Sequence, residues 1–372
     1  MAPQKEKLLA VLQFPEPTEF VARLRVKHPW LEVTWVQQSY GITHWDSSTT
    51  LDEGLYKDAT LLTTLSAIPK PEQAPNLKFI QLLPAGVDHI LSEPIFQKEG
   101  VQIATTSGIH APQIAEWVVM QILVAYHHFR YLDARQHEAR WVAHAELLES
   151  QGLVRDMTSA RVGILGYGSI GRQIARVCHS MGSEIVAFTA SPRTTPESRV
   201  DHGFCLPGTG DPEGRLPVEW YHGLDKHSLQ HFLKQDLDVV VVCLPLTKAS
   251  HHLIGPEELS VLGQARRDGT RPGTLIINVA RGQIIDQEAL IASLKKPVAS
   301  GGLRGAALDV TDPEPLPADS ELWRLPNVVV HPHVSGLNSQ HQKRFLAVLE
   351  ENLARFEKGE PLVNVVEKSK GY

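Results

Sequence analysis

The stretch that decides the fold runs from Arg161 to Gly182, RVGILGYGSIGRQIARVCHSMG. Arg161 to Leu165 is a short apolar run, and Gly166-Tyr167-Gly168-Ser169-Ile170-Gly171 follows it and opens a segment of helical period. A strand, a GxGxxG turn and a helix in that order predict the first unit of a dinucleotide-binding domain. In such a unit Gly166 makes the tight turn, Gly168 leaves room for a pyrophosphate, and Gly171 lets helix pack on strand. Amides around Ser169 and Ile170 then face the phosphates at the positive end of the helix.

The next strand reads Glu184-Ile185-Val186-Ala187-Phe188 and ends in Thr189-Ala190-Ser191-Pro192-Arg193. Where NAD is bound, an Asp or Glu about 20 residues beyond the glycines holds the ribose 2′-hydroxyl. No carboxylate ends this strand. Hydroxyls and a guanidinium suit a 2′-phosphate instead. The expected cofactor is therefore NADP, with Ser191 and Arg193 as contacts and NAD as the alternative.

Further out, short β-branched runs alternate with longer helical ones, the pattern of α/β domains with parallel sheets. Expected strands are Lys7–Leu12, Glu32–Gln37, Ala59–Thr64 and Phe79–Leu82, then 161–165, 184–188, 239–243, 274–278, 305–309 and 328–330. The later runs are apolar on both faces, as in strands sandwiched between helix layers. Residues 111–149 are expected to form a core helix that joins two domains and continues into a solvated helix. Residues 338–358 read as an amphipathic helix returning to the first domain. Two Rossmann-like domains follow. The dinucleotide-binding domain, residues 111–337, is inserted into a discontinuous substrate domain of residues 1–110 and 338–372. Residues 194–223, rich in Pro, Gly and charge, are expected to be an insertion near the cofactor's adenosine end.

Composition agrees with this and narrows it. The 372 residues make about two domains at roughly 150 residues each. Hydrophobic residues at 42% and charged residues at 21% match ordinary globular chains, which argues against disorder and low-complexity scaffolding. The formal charge of −6, with no basic block, argues against nucleic-acid and anionic-membrane partners. Three cysteines without CxxC spacing fit a reducing cytosol. The N-terminal apolar run is too short for a signal peptide, and no run approaches the roughly 18 apolar residues of a membrane span. Cytoplasmic localisation is expected.

Six motifs stand in order along the chain: AGVDH (85–89), GYGSIG (166–171), LPLT (244–247), INVARGQIID (277–286), ALDVTDPEPLP (307–317) and NVVVHPHVSG (327–336). Through them the sequence resembles the D-isomer-specific 2-hydroxyacid dehydrogenase family, its glyoxylate and hydroxypyruvate reductases in particular. The resemblance spans about residues 60–337, the 194–223 segment excepted.

The resemblance implies hydride transfer between NAD(P)H and a 2-keto acid, or the reverse from an (R)-2-hydroxy acid, with substrate in a cleft between domains. It implies a catalytic trio of Arg281, Glu314 and His333. Arg281 offers a planar fork to a carboxylate. His333 gives a proton to the carbonyl oxygen as hydride reaches carbon. Glu314 holds the other ring nitrogen and favours the charged imidazole. By the same resemblance the backbone of Ala85 and Gly86 receives the substrate carboxylate. Leu244 and Pro245 line the adenine side, Val279 lies by the nicotinamide, and Asp309 holds its carboxamide. Trp141 matches a tryptophan that reaches a partner subunit's site, so a homodimer is expected.

His331-Pro332-His333 departs from the family's Thr-Pro-His. The pair lacks a third ligand at recognisable spacing, so no metal site is expected. A formate dehydrogenase of related fold would carry glutamine where Glu314 stands. The alternative from another class is a cofactor-sensing corepressor scaffold of the same fold, which would retain the trio.

Overall fold

Leucine- and valine-rich runs near the start of the chain become the strands of a small parallel sheet. In the computed structural model, which describes residues 5–38, 51–264 and 273–372, the chain divides into two compact units. One joins Met1–Ile109 to Asn338–Tyr372, and the other is His110–Leu337. The first holds β1 (Glu6–Leu12), β2 (Leu31–Gln37), β3 (Leu61–Thr64), β4 (Phe79–Leu82) and β5 (Gln102–Ala104), in the order β2-β1-β3-β4-β5. All its pairs are parallel. Around the sheet run α1 (Thr18–Lys27) and the short α2 (Glu53–Lys57) and α3 (Pro94–Gln97).

The C-terminal helix His341–Lys358 belongs to this unit. It buries Phe345, Leu346, Val348, Leu349, Asn352 and Leu353, one face at helical spacing, and stops at Gly359, whose φ of 67° suits glycine. Asn352, fully buried, is the polar pin of that face. Its Nδ2 donates to Gln81 Oε1 at 2.7 Å in β4, and its Oδ1 accepts from the Val363 amide at 2.8 Å.

The second unit carries α4 (Ala111–Tyr126), α5 (Phe129–His137) and α6 (His144–Ser150), followed by an alternating series. Its strands are β6 (Arg161–Leu165), β7 (Glu184–Thr189), β8 (Pro217–His222), β9 (Val239–Val242), β10 (Leu275–Asn278), β11 (Gly305–Leu308) and β12 (Val328–Val330). Its helices are α7 (Ser169–Ser180), α8 (Pro196–Arg199), α9 (Lys226–Leu233), α10 (Pro256–Leu262) and α11 (Gln287–Lys295). The sheet order is β12-β11-β10-β9-β6-β7-β8, parallel throughout.

The double-sided apolar pattern has a direct cause. Val162, Ile164, Ile185, Ala187, Val239 and Val241 join one buried cluster with α4 and α7. Leu165, Val186, Phe188, Val240 and Val242 alternate onto the other face, against α9 to α11. Because every strand runs the same way, all the C-terminal ends share one edge, and the strand order reverses between β6 and β9. Ligands of open α/β sheets bind in that crevice.

Two expectations need correction. Residues 194–223 are not wholly an insertion, because β8 lies within them and pairs with β7 through a register shift at Ile185/Val186. Its half-exposed, edge-strand composition hid it. Residues 111–149 form three helices, broken first where His128 takes a left-handed φ of 54°. The three-residue β5 was not anticipated. Among the described residues, no helix is long and apolar enough to cross a membrane.

Replacing Asn352 by Ala strips buried partners from both Gln81 and Val363. One unsatisfied buried group costs about 1–3 kcal/mol, so denaturant unfolding is expected to show at least that loss. A variant as stable as wild type would show the pin to be dispensable.

Candidate active site

The glycine turn closes the end of β6. Gly166 has a φ of 105°, and a Cβ there would come within 2.7 Å of the Cys243 carbonyl oxygen, just past β9. A Cβ on Gly171 would sit 2.2 Å from Gly166 O and 2.9 Å from Ile164 Cγ2. Both positions need glycine for reasons inside the chain. Gly168 differs, since its φ of −87° is ordinary and a Cβ would meet nothing within 4 Å. Nothing in the fold asks for glycine there, and the open space beside it would admit a pyrophosphate. Gly168 is also the N-cap of α7 and provides no side-chain cap, so the first-turn amides of Ser169, Ile170 and Gly171 face an anion-binding end. The residues present fit a dinucleotide.

The other candidate residues follow neighbouring strands at the same edge. Leu244 and exposed Pro245 come after β9, and Pro245 O accepts from Ser250 Oγ at 2.8 Å. Val279 and Arg281 come after β10. Asn278 shapes that turn, accepting from Ala280 N and donating to Arg281 O, each at 3.0 Å. Asp309 follows β11 and is buried. Its carboxylate accepts from the Val334 amide at 2.9 Å and from the amide and hydroxyl of Ser335.

Those contacts hold the loop that carries His333, whose own amide donates to Asp309 O at 2.8 Å. His333 Nδ1 lies 3.1 Å from Glu314 Oε2, with the two side chains 35% and 38% exposed. The second carboxylate oxygen, Oε1, accepts from the Thr311 amide at 3.1 Å. Burial opposes ionisation of Glu314. The hydrogen bond and charge of His333, the Thr311 amide and the charge of Arg281 outweigh it and hold the carboxyl below its usual range. Three residues from three loops are thus electrostatically linked.

At the end of β7, Thr189 Oγ1 donates to Ser191 O at 2.8 Å and Ser191 is exposed. Arg193 donates one guanidinium nitrogen to Ser198 O, and its own carbonyl accepts from Arg199 Nε at 2.9 Å. In the first unit Ala85 and Gly86 occupy the turn between β4 and a short 3-10 segment, Asp88–Ile90. Trp141 is 96% exposed.

The family model described as "D-isomer specific 2-hydroxyacid dehydrogenase, NAD binding domain" matches residues 119–204 and 211–335. The chain belongs to the D-isomer-specific 2-hydroxyacid dehydrogenase family. The match also narrows what was expected to be an insertion, since within 194–223 only residues 205–210 fall outside it. Like other members, the chain is an oxidoreductase.

Glyoxylate reductase of Korarchaeum cryptofilum is 28% identical over 314 residues, covering 83% of each chain. Hydroxypyruvate reductase of Thermotoga maritima is 28% identical over 73% of this chain and 75% of its own. The solved NADPH-dependent glyoxylate/hydroxypyruvate reductase of Sinorhizobium meliloti, in complex with NADP and sulfate, is 28% identical. It matches with a TM-score of 0.71 over 99% of this chain and 100% of that one.

This dehydrogenase carries supports that sequence reasoning missed. Trp117 Nε1 donates to His331 Nδ1 at 2.8 Å, and Gln113 Nε2 donates to Gly336 O at 3.0 Å. Both bonds run from α4 to the His333 loop. The sequence signal was only the apolar run AEWVVMQILVAY, in which Trp117 reads as core.

Two outcomes test this geometry. Gly171→Ala pushes a methyl into the Gly166 carbonyl. Overpacking costs roughly 1–3 kcal/mol, so lowered stability is expected in thermal unfolding, with dinucleotide binding weakened in calorimetry. Glu314 has a folded pKa below its unfolded one, so its stabilising contribution is full above the unfolded value. That contribution is lost as pH falls through the folded value. Glu314→Gln is expected to remove this part of the acid limb of stability, and identical acid unfolding of the two proteins would contradict it.

Proposed function

We propose that the protein reduces a short 2-keto acid of the glyoxylate or hydroxypyruvate kind with NADPH, His333 acting as the acid. The observation that carries this reading is the His333–Glu314 contact at the sheet edge with the Arg281 charge beside it. With Nδ1 turned to Glu314, His333 has Nε2 for the substrate. A bound nicotinamide dinucleotide supplies the hydride.

Arg281 binds the substrate carboxylate and draws charge from the adjacent carbonyl. His333 passes the proton on Nε2 to the carbonyl oxygen as carbon receives the hydride, and the imidazole is left neutral. In oxidation the same nitrogen takes the hydroxyl proton. Ala85 and Gly86 amides complete the carboxylate site. Gly166 to Gly171 hold the pyrophosphate, Leu244 and Pro245 the adenine, and Val279 and Asp309 the nicotinamide side. Asp309 already serves the His333 loop with both oxygens, so the carboxamide would share them. Ser191 and Arg193 hold the 2′-phosphate, a reading supported by the missing carboxylate after Phe188. NADP bound in the Sinorhizobium relative agrees with it.

His333→Ala is expected to lower kcat on glyoxylate or hydroxypyruvate by about 10²- to 10⁴-fold, with NADP+ affinity little changed. An unaltered kcat would refute the acid assignment. Steady-state rates with NADPH and NADH on a panel of 2-keto acids test substrate and cofactor together, with kcat/KM expected to favour NADPH.

A further inference from the structure

Residues 200–216 are far longer than an αβ connection of about 2–6 residues needs to be, yet they are closely tied to the glycine turn. Tyr167, the residue between Gly166 and Gly168, donates its hydroxyl to Asp211 Oδ2 at 2.8 Å. Asp211 is 7% exposed and also accepts from the amides of Arg215 at 3.0 Å and Leu216 at 3.1 Å. Burial and the Asp211 charge push the Tyr167 phenol well above its ordinary pKa, so it stays a donor at all physiological pH.

The first turns of α7 hold the same segment. Arg172, 4% exposed, donates to Asp211 O at 2.5 Å and to Arg199 O at 2.7 Å, with Asp201 at 3.5 Å as its counter-charge. Gln173 Oε1 accepts from Gly210 N at 2.5 Å, and Arg176 donates to Gly210 O at 3.2 Å. The far end of this chain of contacts is Arg193. Its guanidinium is bonded to Ser198 O and its carbonyl to Arg199 Nε, while the Arg199 guanidinium lies 5.5 Å over the Trp220 ring. Trp220 in turn meets the Tyr167 ring edge-on at 4.9 Å.

We infer that residues 200–216 form a positioning strap, held on the glycine turn by Tyr167–Asp211 and joined with the end of α8 to α7 by Arg172, that fixes Arg193 for the cofactor's 2′-phosphate. Asp211, Arg172 and Tyr167 are its positioning residues, acting through Arg199 and Ser198. A buried arginine that binds one carbonyl of the strap and one at the end of α8 is a rigid device, because breaking it strands a desolvated charge. The strap therefore contributes to the choice between NADP and NAD and not only to folding. This inference rests on the NADP reading above.

The test measures dissociation constants of NADP+ and NAD+ by calorimetry for wild type, Tyr167→Phe, Arg193→Ala and the double variant. Tyr167→Phe deletes one hydroxyl and leaves the ring packing. It is expected to lower the NADP+ over NAD+ preference by about tenfold, a coupling of the size seen between residues in one network. In the Arg193→Ala background its effect on that preference is expected to fall below about twofold. Asp211→Asn, similar in shape without the charge, is expected to show the same pattern and serves if Tyr167→Phe does not fold. Equal weakening of both cofactors, or effects that simply add, would overturn the strap's role in selectivity. A wild type without preference for NADP+ rejects the cofactor reading, and the inference with it. A wild-type preference left intact by both variants overturns the strap alone.

Discussion

The contact between the Gly166 carbonyl and the start of α7 leaves no room for a side chain at Gly171. It sets how closely the helix can lie on β6, and that distance sets where the first-turn amides point. Gly166 itself presses on the Cys243 carbonyl past β9, so the turn occupies the place where the strand order reverses. An extra methyl at either glycine would displace backbone against backbone, which cannot give as a side-chain tip can. The rest of the edge is organised around this fixed point, since the loops after β7, β9, β10, β11 and β12 all leave the sheet in the same direction.

Three carboxylates then shape those loops, each by accepting backbone amides. Asp309 takes the amides of Val334 and Ser335, Glu314 that of Thr311, and Asp211 those of Arg215 and Leu216. In every case the anion has a further partner of functional interest: the Ser335 hydroxyl, His333, or the Tyr167 hydroxyl. Charge-assisted bonds of this kind are about twice as strong as neutral ones, and amides fixed in a loop lose little entropy in making them. Irregular backbone is thereby held in place without regular secondary structure.

What the sequence made legible follows from the range of the interactions. Short runs dominated by apolar residues announce themselves as strands, and β4, β6 and β12 have the limits expected from their residues alone. The glycine turn is equally local, six residues whose spacing carries their roles. β8 was hidden because an edge strand with Glu219 and His222 among its residues has one side to satisfy and reads as a loop. The break after Tyr126 gave no warning either, because the segment's composition is helical on both sides of two histidines. Least legible were pairings across long separations. Trp117 and His331 lie on opposite sides of the whole sheet in sequence, and only the packing of α4 brings the indole to the imidazole.

The conformation of His333 shows why these remote supports matter. Its φ of 55° is left-handed, a region that only a few per cent of non-glycine residues enter, histidine among the more frequent of them. Such a residue costs of order 1–3 kcal/mol and persists only where its surroundings over-determine it. Here they do: the His333 amide is bound to Asp309 O, the next two amides to the Asp309 carboxylate, Gly336 O to Gln113, and His331 to Trp117. Several bonds of roughly 1 kcal/mol each offset that strain before any substrate arrives. The backbone turn aims the ring at Glu314, and an extended residue at the same position would send its side chain elsewhere. His331 takes part in that fixation by accepting the indole N–H at Nδ1. That bond ties the residue two before His333 to α4 and so adds to the loop's rigidity.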